Sequence, residues 1–349
     1  MPPTKFDRIA VRRVDRLTDD SVAITFDVPA RLRARFAFAP GQWLTVRRGD
    51  ERRSYSICSA RGQAPRIGVR EVPGGEVSPW LVRDVRPGDL VDVLAPSGSF
   101  TPDLTTSGRH VLLAAGSGIT PVLSIAASVL AAHADASVTL FYGNRRADSV
   151  MFVDEIADLK DAYPARMRVV HLLSREAQEV ELFNGRLDGA KLRALLPALV
   201  DVAATDHWWI CGPLGMTVDA AEVLRELGVS APRIHRELFY VGDEPPVPGR
   251  HVDPPIATGA EVSLRLDGRT TTLTIPAGMT VLEGAQRERP DLPFACKGGV
   301  CGTCRALLVD GKVTMLRNYA LEPAELDAGY VLTCQSLPGT DRVAVDYDA

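Results

Sequence analysis

The chain has 349 residues, of which 46% are hydrophobic and 24% charged, with a formal net charge of −4. That length accommodates two or three domains, and the composition is ordinary for globular protein. The small negative charge makes no electrostatic case for nucleic acid or an anionic membrane, and six cysteines are too few for a disulfide scaffold.

The opening stretch, Met1–Val14, carries Lys5, Asp7, Arg8, Arg12 and Arg13 and has no apolar core of the signal-peptide kind. A cytoplasmic location with reduced thiols is expected. Residues 5–106 then show short strand-like runs: Val22–Phe26, Trp43–Val46, Ile67–Arg70 and Leu90–Leu94. Turns at Pro40-Gly41, Pro73-Gly74-Gly75 and Pro87-Gly88 separate them. Closely spaced strands with such turns predict an antiparallel barrel.

Within this region the run Arg53-Ser54-Tyr55-Ser56 has a chemical reading. A flavin needs an aromatic ring against its face, a hydroxyl or amide near N5, and a cation for its phosphates. Tyr55, Ser56 and Arg53 supply these in turn on an extended segment. Gly74, Gly75 and Ser78 form a loop whose backbone N–H groups and hydroxyl suit a pyrophosphate.

Residues 107–240 change pattern. Strand candidates His110–Ala115, Val138–Tyr142, Met167–Leu173 and His207–Cys211 alternate with helical stretches Pro121–Ala132, Val150–Lys160 and Met216–Leu227. That alternation predicts an α/β doubly wound parallel sheet that binds its ligand at the carboxyl ends of the strands. The apolar run Val111–Ala132 is broken by Gly116, Ser117, Gly118, Thr120 and Pro121, so strand, loop and helix explain it better than a membrane span. Gly116 and Gly118 permit a tight turn and close phosphate approach at a helix start. Arg175, after Ser174 at a strand end, suits the 2′-phosphate of NADPH, while the adjacent Glu176 leaves NADH open. Cys211-Gly212-Pro213 is a second glycine turn at the same sheet edge, where a nicotinamide is expected. The six histidines have no ligand-like spacing and read as structural or surface residues.

Residues 241–258 are proline-rich and read as a semi-extended linker. The last region, 259–349, opens with strand-like Glu261–Leu266 and Thr271–Ile275 joined at Asp267-Gly268, a hairpin turn. A helix over Val281–Arg289 is expected to lead into Cys296, Cys301 and Cys304, with Cys334 far downstream. C-x4-C-x2-C with a distant fourth cysteine is the plant-type spacing for a 2Fe–2S cluster. Gly298, Gly299 and Gly302 let the backbone close on the sulfides. A structural zinc site would show a second short cysteine pair, and here Cys334 stands alone. Such a cluster moves single electrons, so the rest of the chain must supply or consume them.

On these motifs residues 5–240 resemble the ferredoxin–NADP reductase superfamily, with a plant-type ferredoxin appended. Arg53–Ser56, Gly116–Pro121 and Cys211–Pro213 match its flavin, dinucleotide and nicotinamide motifs, and Ser174-Arg175 matches its NADP-specific branch. The resemblance implies an FAD barrel (5–106), a NAD(P) domain (107–240) and a β-grasp ferredoxin domain (259–349). A related branch keeps FMN open. It also implies that Glu237 and Phe239 lie beside the flavin, and that Ser56, Cys211 and Glu237 serve the chemistry. Ser54, Thr120, Pro121 and Gly212 then belong to the cofactor-binding motifs. A closer likeness, covering nearly the whole chain and carried mostly by Ala295–Cys304 and Asn318–Gln335, is to the reductase components of phenylacetyl-CoA epoxygenases of phenylacetate degradation. Electrons from NADPH would then reach a di-iron oxygenase component. Reductases of other hydroxylases or ring dioxygenases share the architecture. A non-catalytic redox carrier or sensor and a zinc module are the competing readings.

Overall fold

The computed structural model describes residues 5–239, 259–321 and 323–349. The expected linker, 241–258, lies outside the described residues. The chain divides into two compact units: one spans 7–51 and 55–239, and the other holds 259–349 with the short pieces 5–6 and 52–54.

β1 (Asp7–Thr18), β2 (Ser21–Asp27), β3 (Trp43–Arg48), β4 (Glu51–Ser56), β5 (Arg66–Arg70) and β6 (Leu90–Val93) form one sheet, in the order β4-β3-β6-β1-β2-β5, and all of it but residues 52–54 belongs to the first unit. An antiparallel bridge between Ile57 and Ile67 joins the two edges and closes the sheet into the expected barrel. Ile9, Val11, Ile24, Leu44, Val46, Ile67 and Val93 fill its core. A short helix, α1 (Val77–Arg83), packs its buried Val77, Leu81 and Val82 on this barrel.

The same unit continues with a five-stranded sheet. Its strands are β7 (Arg109–Ala115), β8 (Ser137–Asn144), β9 (Met167–Leu173), β10 (His207–Gly212) and β11 (Ile234–Leu238), all parallel, in the order β11-β10-β7-β8-β9. The helices are α2 (Ile119–Ala132), α3 (Val153–Ala162), α4 (Gly189–Leu199) and α5 (Leu214–Glu226). Buried residues of α2 and α3 share a core with one sheet face, and those of α4 and α5 with the other. Strands buried on both faces read as continuous apolar runs, which is why His110–Ala115 was legible. Among the described residues no helix is long and apolar enough to cross a membrane.

The second unit is built on β12 (Ala260–Leu266), β13 (Arg269–Ile275), α6 (Val281–Ala285), β14 (Arg305–Asp310), β15 (Val313–Met315), α7 (Pro323–Asp327), β16 (Tyr330–Leu332), β17 (Ser336–Pro338) and β18 (Arg342–Asp346). Its main sheet runs β13-β12-β18-β14-β16, and β15 pairs with β17. The β12–β13 turn is the expected one: Asp267 and Gly268 both have positive φ, 53° and 71°. Both backbone N–H groups donate to the Asp348 carboxylate at 2.8 Å. Helix α6 stops four residues before the expected Arg289. Gly284 sits against Ile275, where a Cβ would come within 2.6 Å of the side chain, and Pro290 disfavours helical backbone at Arg289.

Candidate functional site

In the parallel sheet, β7 is flanked by β8 on one side and β10 on the other, so successive crossovers leave in opposite directions between β7 and β10. That switch point opens a crevice at the carboxyl ends of these strands. Gly116–Gly118 forms one 3-10 turn there, and Cys211-Gly212 ends β10 beside it. A Cβ on Gly118 would stand 2.2 Å from the Cys211 carbonyl oxygen, so only glycine lets the loop close on β10. Gly116 has φ +54°, and its carbonyl accepts from the Tyr142 hydroxyl at 3.0 Å. Thr120 and Pro121 are buried, and Thr120 Oγ1 donates to the Ser117 carbonyl. These two side chains brace the loop from inside.

Three predicted residues converge at this edge. Cys211 and Glu237 are register partners on β10 and β11. Ser56 Oγ, from the end of β4, donates to Glu237 Oε2 at 3.2 Å. Part of the Glu237 side chain reaches the surface, but protein surrounds its carboxyl, and burial pushes its pKa up to about 8 against the opposing Ser56 hydrogen bond. Burial, with Glu237 second, also pushes the Cys211 thiol well up. A neutral carboxyl, a neutral thiol and a hydroxyl therefore meet at neutral pH. Phe239 N donates to the Gly212 carbonyl at 3.3 Å, which brings Phe239 to the same edge.

The junction between the barrel and the helices of the parallel sheet is dense. Arg66 on β5 donates to Glu155 on α3 at 3.0 Å and to Asp15 on β1 at 2.9 Å. Ser124 Oγ donates to the Ser59 carbonyl at 2.6 Å, and Gly68 packs under Thr120 and Phe152. The first two expected domains thus belong to one compact unit.

Tyr55 is half-buried against the barrel core, Ser54 is half-buried and Arg53 exposed on the same strand. In the 73–78 loop, Gly74 takes φ +77°. Gly75 N–H donates to the Val72 carbonyl at 3.0 Å, and Ser78 Oγ accepts from Val72 N at 3.0 Å. Gly75 therefore supplies the turn and not the phosphate donor expected of it, while the Ser78 hydroxyl proton remains as a donor. The Tyr55 ring and the Ser56 hydroxyl, neighbours on one strand of the barrel unit, suit a flavin.

Ser174 follows β9, where its N–H and Oγ donate to the Asn144 carbonyl at 3.0 and 3.3 Å. Arg175 N donates to the Arg145 carbonyl at 2.8 Å, so the exposed Arg145, Arg146 and Arg175 gather at the ends of β8 and β9. Glu176 instead accepts from Ala147 N at 2.9 Å, which ties the carboxylate back to the β8 loop. The sequence reading missed Arg145 and Arg146, although the pair directly after a strand was a visible signal. It also missed Arg70, whose guanidinium lies 3.1 Å from where a Gly116 Cβ would be.

In the second unit the four cysteines fall into two pairs. A Cys301 hydrogen bond, helped by backbone N–H from Gly298 and Cys301 at 3.3 and 3.4 Å, pulls the Cys296 thiol down, while Cys301 is pushed up. Cys304 likewise draws Cys334 down and is itself raised. Among the described residues no three His, Cys, Asp or Glu groups converge on one ion. Two thiol pairs are what two irons need, each taking two thiolates, and Lys297, Gly299 and Gly302 have positive φ in the loop that carries three of them. The donor set fits a 2Fe–2S cluster.

The fold and these sites define a modular iron–sulfur oxidoreductase with a flavin-type barrel and a dinucleotide domain. Residues 112–222 match the family described as oxidoreductase NAD-binding domain, and residues 264–339 the 2Fe-2S iron-sulfur cluster binding domain. The chain is 41% identical to a subunit of the 1,2-phenylacetyl-CoA epoxidase of Escherichia coli (strain K12), over 99% of both chains. It is 33% identical to the ferredoxin reductase component of 3-ketosteroid-9-alpha-monooxygenase of Rhodococcus rhodochrous, over 97% of this chain and 96% of the relative. The solved structure of phthalate dioxygenase reductase, a modular structure for electron transfer from pyridine nucleotides to [2Fe-2S], superposes with a TM-score of 0.61 at 22% identity over 98% of both chains. The chain belongs to this family of oxygenase reductase components.

Proposed function

We propose that this chain is the reductase component of a phenylacetyl-CoA 1,2-epoxygenase, taking electrons from NADPH and passing them to the di-iron oxygenase component. The observation that carries the reductase chemistry is the meeting of Ser56, Cys211 and Glu237 at the switch point, where Ser56 Oγ lies 3.2 Å from Glu237 Oε2. The partner rests on 41% identity along essentially the whole chain to a component of that enzyme. When bound, FAD and a 2Fe–2S cluster supply the step from an electron pair to single electrons.

The chain's own residues position and tune. Gly116 and Gly118 take the dinucleotide phosphates at the start of α2, and Arg175 with Arg145 and Arg146 takes the 2′-phosphate. The Glu176 carboxylate is occupied by Ala147 N, which favours NADPH over NADH. Arg53, Ser54, Tyr55, Gly74 and Ser78 hold the flavin, and Phe239 covers the nicotinamide side. Glu237, neutral near pH 7, holds a proton that Ser56 Oγ relays. Cys296, Cys301, Cys304 and Cys334 hold the irons. The proposed boundaries are 5–106, 107–240 and 259–349, joined by 241–258, in a cytoplasmic protein.

Anaerobic reduction with NADPH or NADH, followed at flavin and iron–sulfur absorbance, tests the scheme. NADPH should bleach both sets of bands; a cluster that stays oxidised while the flavin bleaches would defeat it. Addition of the purified epoxygenase oxygenase component and phenylacetyl-CoA should yield NADPH-dependent epoxide. Reduction of a different hydroxylase in its place would reassign the partner.

A further inference from the structure

The loop that carries three of the four cysteines bends through a residue that is not glycine. Lys297, directly after Cys296, has φ +51°, in the left-handed region that glycine takes freely and lysine does not. Glycine stands next to it, at Gly298 and Gly299. Backbone strained in this way persists only where its surroundings hold it. A buried side chain does so. Gln335, 7% exposed, sends its Nε2 to the Lys297 carbonyl at 2.7 Å and to the Cys334 carbonyl at 3.0 Å. Two carbonyl acceptors can be met only by the NH2 end, which fixes the way the amide faces. The Gln335 backbone is fixed as well: its N–H donates to the Leu332 carbonyl and its carbonyl accepts from Leu316 N, both at 2.8 Å.

The bond to Lys297 has a consequence across the peptide. In a trans peptide the C=O and the following N–H lie on opposite sides of one plane. With the Lys297 oxygen tied to Gln335, the Gly298 N–H is turned the other way. Cys296 Sγ lies there, 3.3 Å from Gly298 N. The Gln335 nitrogen is also 3.8 Å from Cys334 Sγ. Its two protons go first to the nearer carbonyls, so that sulfur receives only a share. Cys296 and Cys334 belong to different thiol pairs, so a single amide bears on both.

Resting on the iron–sulfur reading above, we propose that Gln335 is a positioning residue for electron transfer: it holds the Lys297–Gly298 peptide with its N–H towards the Cys296 sulfur and thereby raises the reduction potential of the cluster. Reduction adds one negative charge to the irons and their sulfurs, and N–H donors aimed at those sulfurs stabilise it. Without the Gln335 amide the peptide is free to turn its oxygen to the sulfur instead, which disfavours the added electron.

The test uses the full chain with its cofactors, titrated anaerobically with dithionite and followed by EPR of the cluster. Gln335→Met keeps the side-chain length and removes the donors. At a fixed potential it should lower the ratio of reduced to oxidised cluster by about tenfold, the effect of about one lost hydrogen bond to a charged group, which is a midpoint about 59 mV lower for one electron. Exchangeable-proton couplings in the ENDOR spectrum of the reduced cluster should weaken with it. Gln335→Glu, which offers oxygens where the amide offers protons, should lower the midpoint at least as far, and it decides the matter if Gln335→Met loses iron. A wild-type midpoint and wild-type couplings in both variants overturn the proposal and leave Gln335 a packing residue, whatever thermal stability they lose. So does a lowered midpoint with unaltered couplings, which would place the effect away from the sulfurs. A wild-type chain that gives no EPR signal of a reduced 2Fe–2S cluster defeats the underlying reading, a distinct result.

Discussion

Glu237 illustrates what a single residue contributes here. Its carboxyl is raised from an ordinary 4.5 to about 8 by burial, so the native state keeps a proton that the unfolded chain releases. The sign follows. Below about 4.5 both states are protonated and folding carries no penalty. As pH rises towards 8 the native state binds the extra proton, so stability falls across that window. Glu237→Gln should remove this dependence. Urea midpoints at pH 6 and pH 9 should show wild type losing about 1–2 kcal/mol and the variant nearly none of it. That figure is well below full conversion of the displacement, because part of the side chain meets solvent. An unchanged pH slope in Glu237→Gln would assign the buried proton elsewhere. Individual roles of this kind were partly legible: the reactive residue types stood in recognisable motifs. The hydrogen bond between Ser56 and Glu237 was not, since 181 positions separate them.

At the scale of elements, the contact between the turn before α2 and the end of β10 decides the geometry of the crevice. Gly118 faces backbone atoms there: Cys211 O at 2.2 Å, Cys211 C at 2.6 Å and Gly212 N at 2.9 Å from a would-be Cβ. Backbone cannot step aside as a flexible side chain can. Gly118→Ala should therefore push the α2 start off β10, destabilise the protein by about 1–3 kcal/mol and weaken dinucleotide binding. Gly215→Ala is the control, because nothing lies within 4 Å of its Cβ position on α5. It should be neutral or slightly stabilising, as alanine is in a helix. Equal thermal shifts in the two variants would sink the account. The same scale explains which elements the sequence reading missed. Strand β1 carries register shifts between Val11 and Arg13 and between Arg16 and Thr18, which break the alternation of apolar residues. Strand β11 is an edge strand whose residues are half-buried or exposed throughout, so it offers no alternation either. Helix α4 contains Pro197, which reads as a breaker in sequence. Met167–Leu173, at the other edge but with Met167, Val170, Leu172 and Leu173 buried, was found with its observed bounds.

For the whole molecule, the division into two compact units separates the dinucleotide chemistry from the cysteine loop. The Ser56, Cys211 and Glu237 cluster lies in one unit and all four cluster cysteines in the other. Each unit has its own buried core. Cys301→Ser should then abolish the iron–sulfur bands and electron delivery to the oxygenase while leaving NADPH-driven flavin reduction within about twofold of wild type, a change well under 1.4 kcal/mol. Stopped-flow absorbance separates the two. Loss of both reactions would mean that the cluster supports folding of the whole chain.

The amino-acid sequence alone determined the cysteine set, the glycine turns and the family. These signals are local: a turn that needs positive φ or a loop that must carry three thiolates confines its own few residues, whatever surrounds them. Tertiary structure decided the rest. It paired Cys296 with Cys301 and Cys304 with Cys334, brought Ser56 to Glu237, and turned Gly75 N–H inward to Val72. Each of these depends on which strands neighbour one another and on how much water a group loses, and both are settled by long-range packing rather than by adjacent residues.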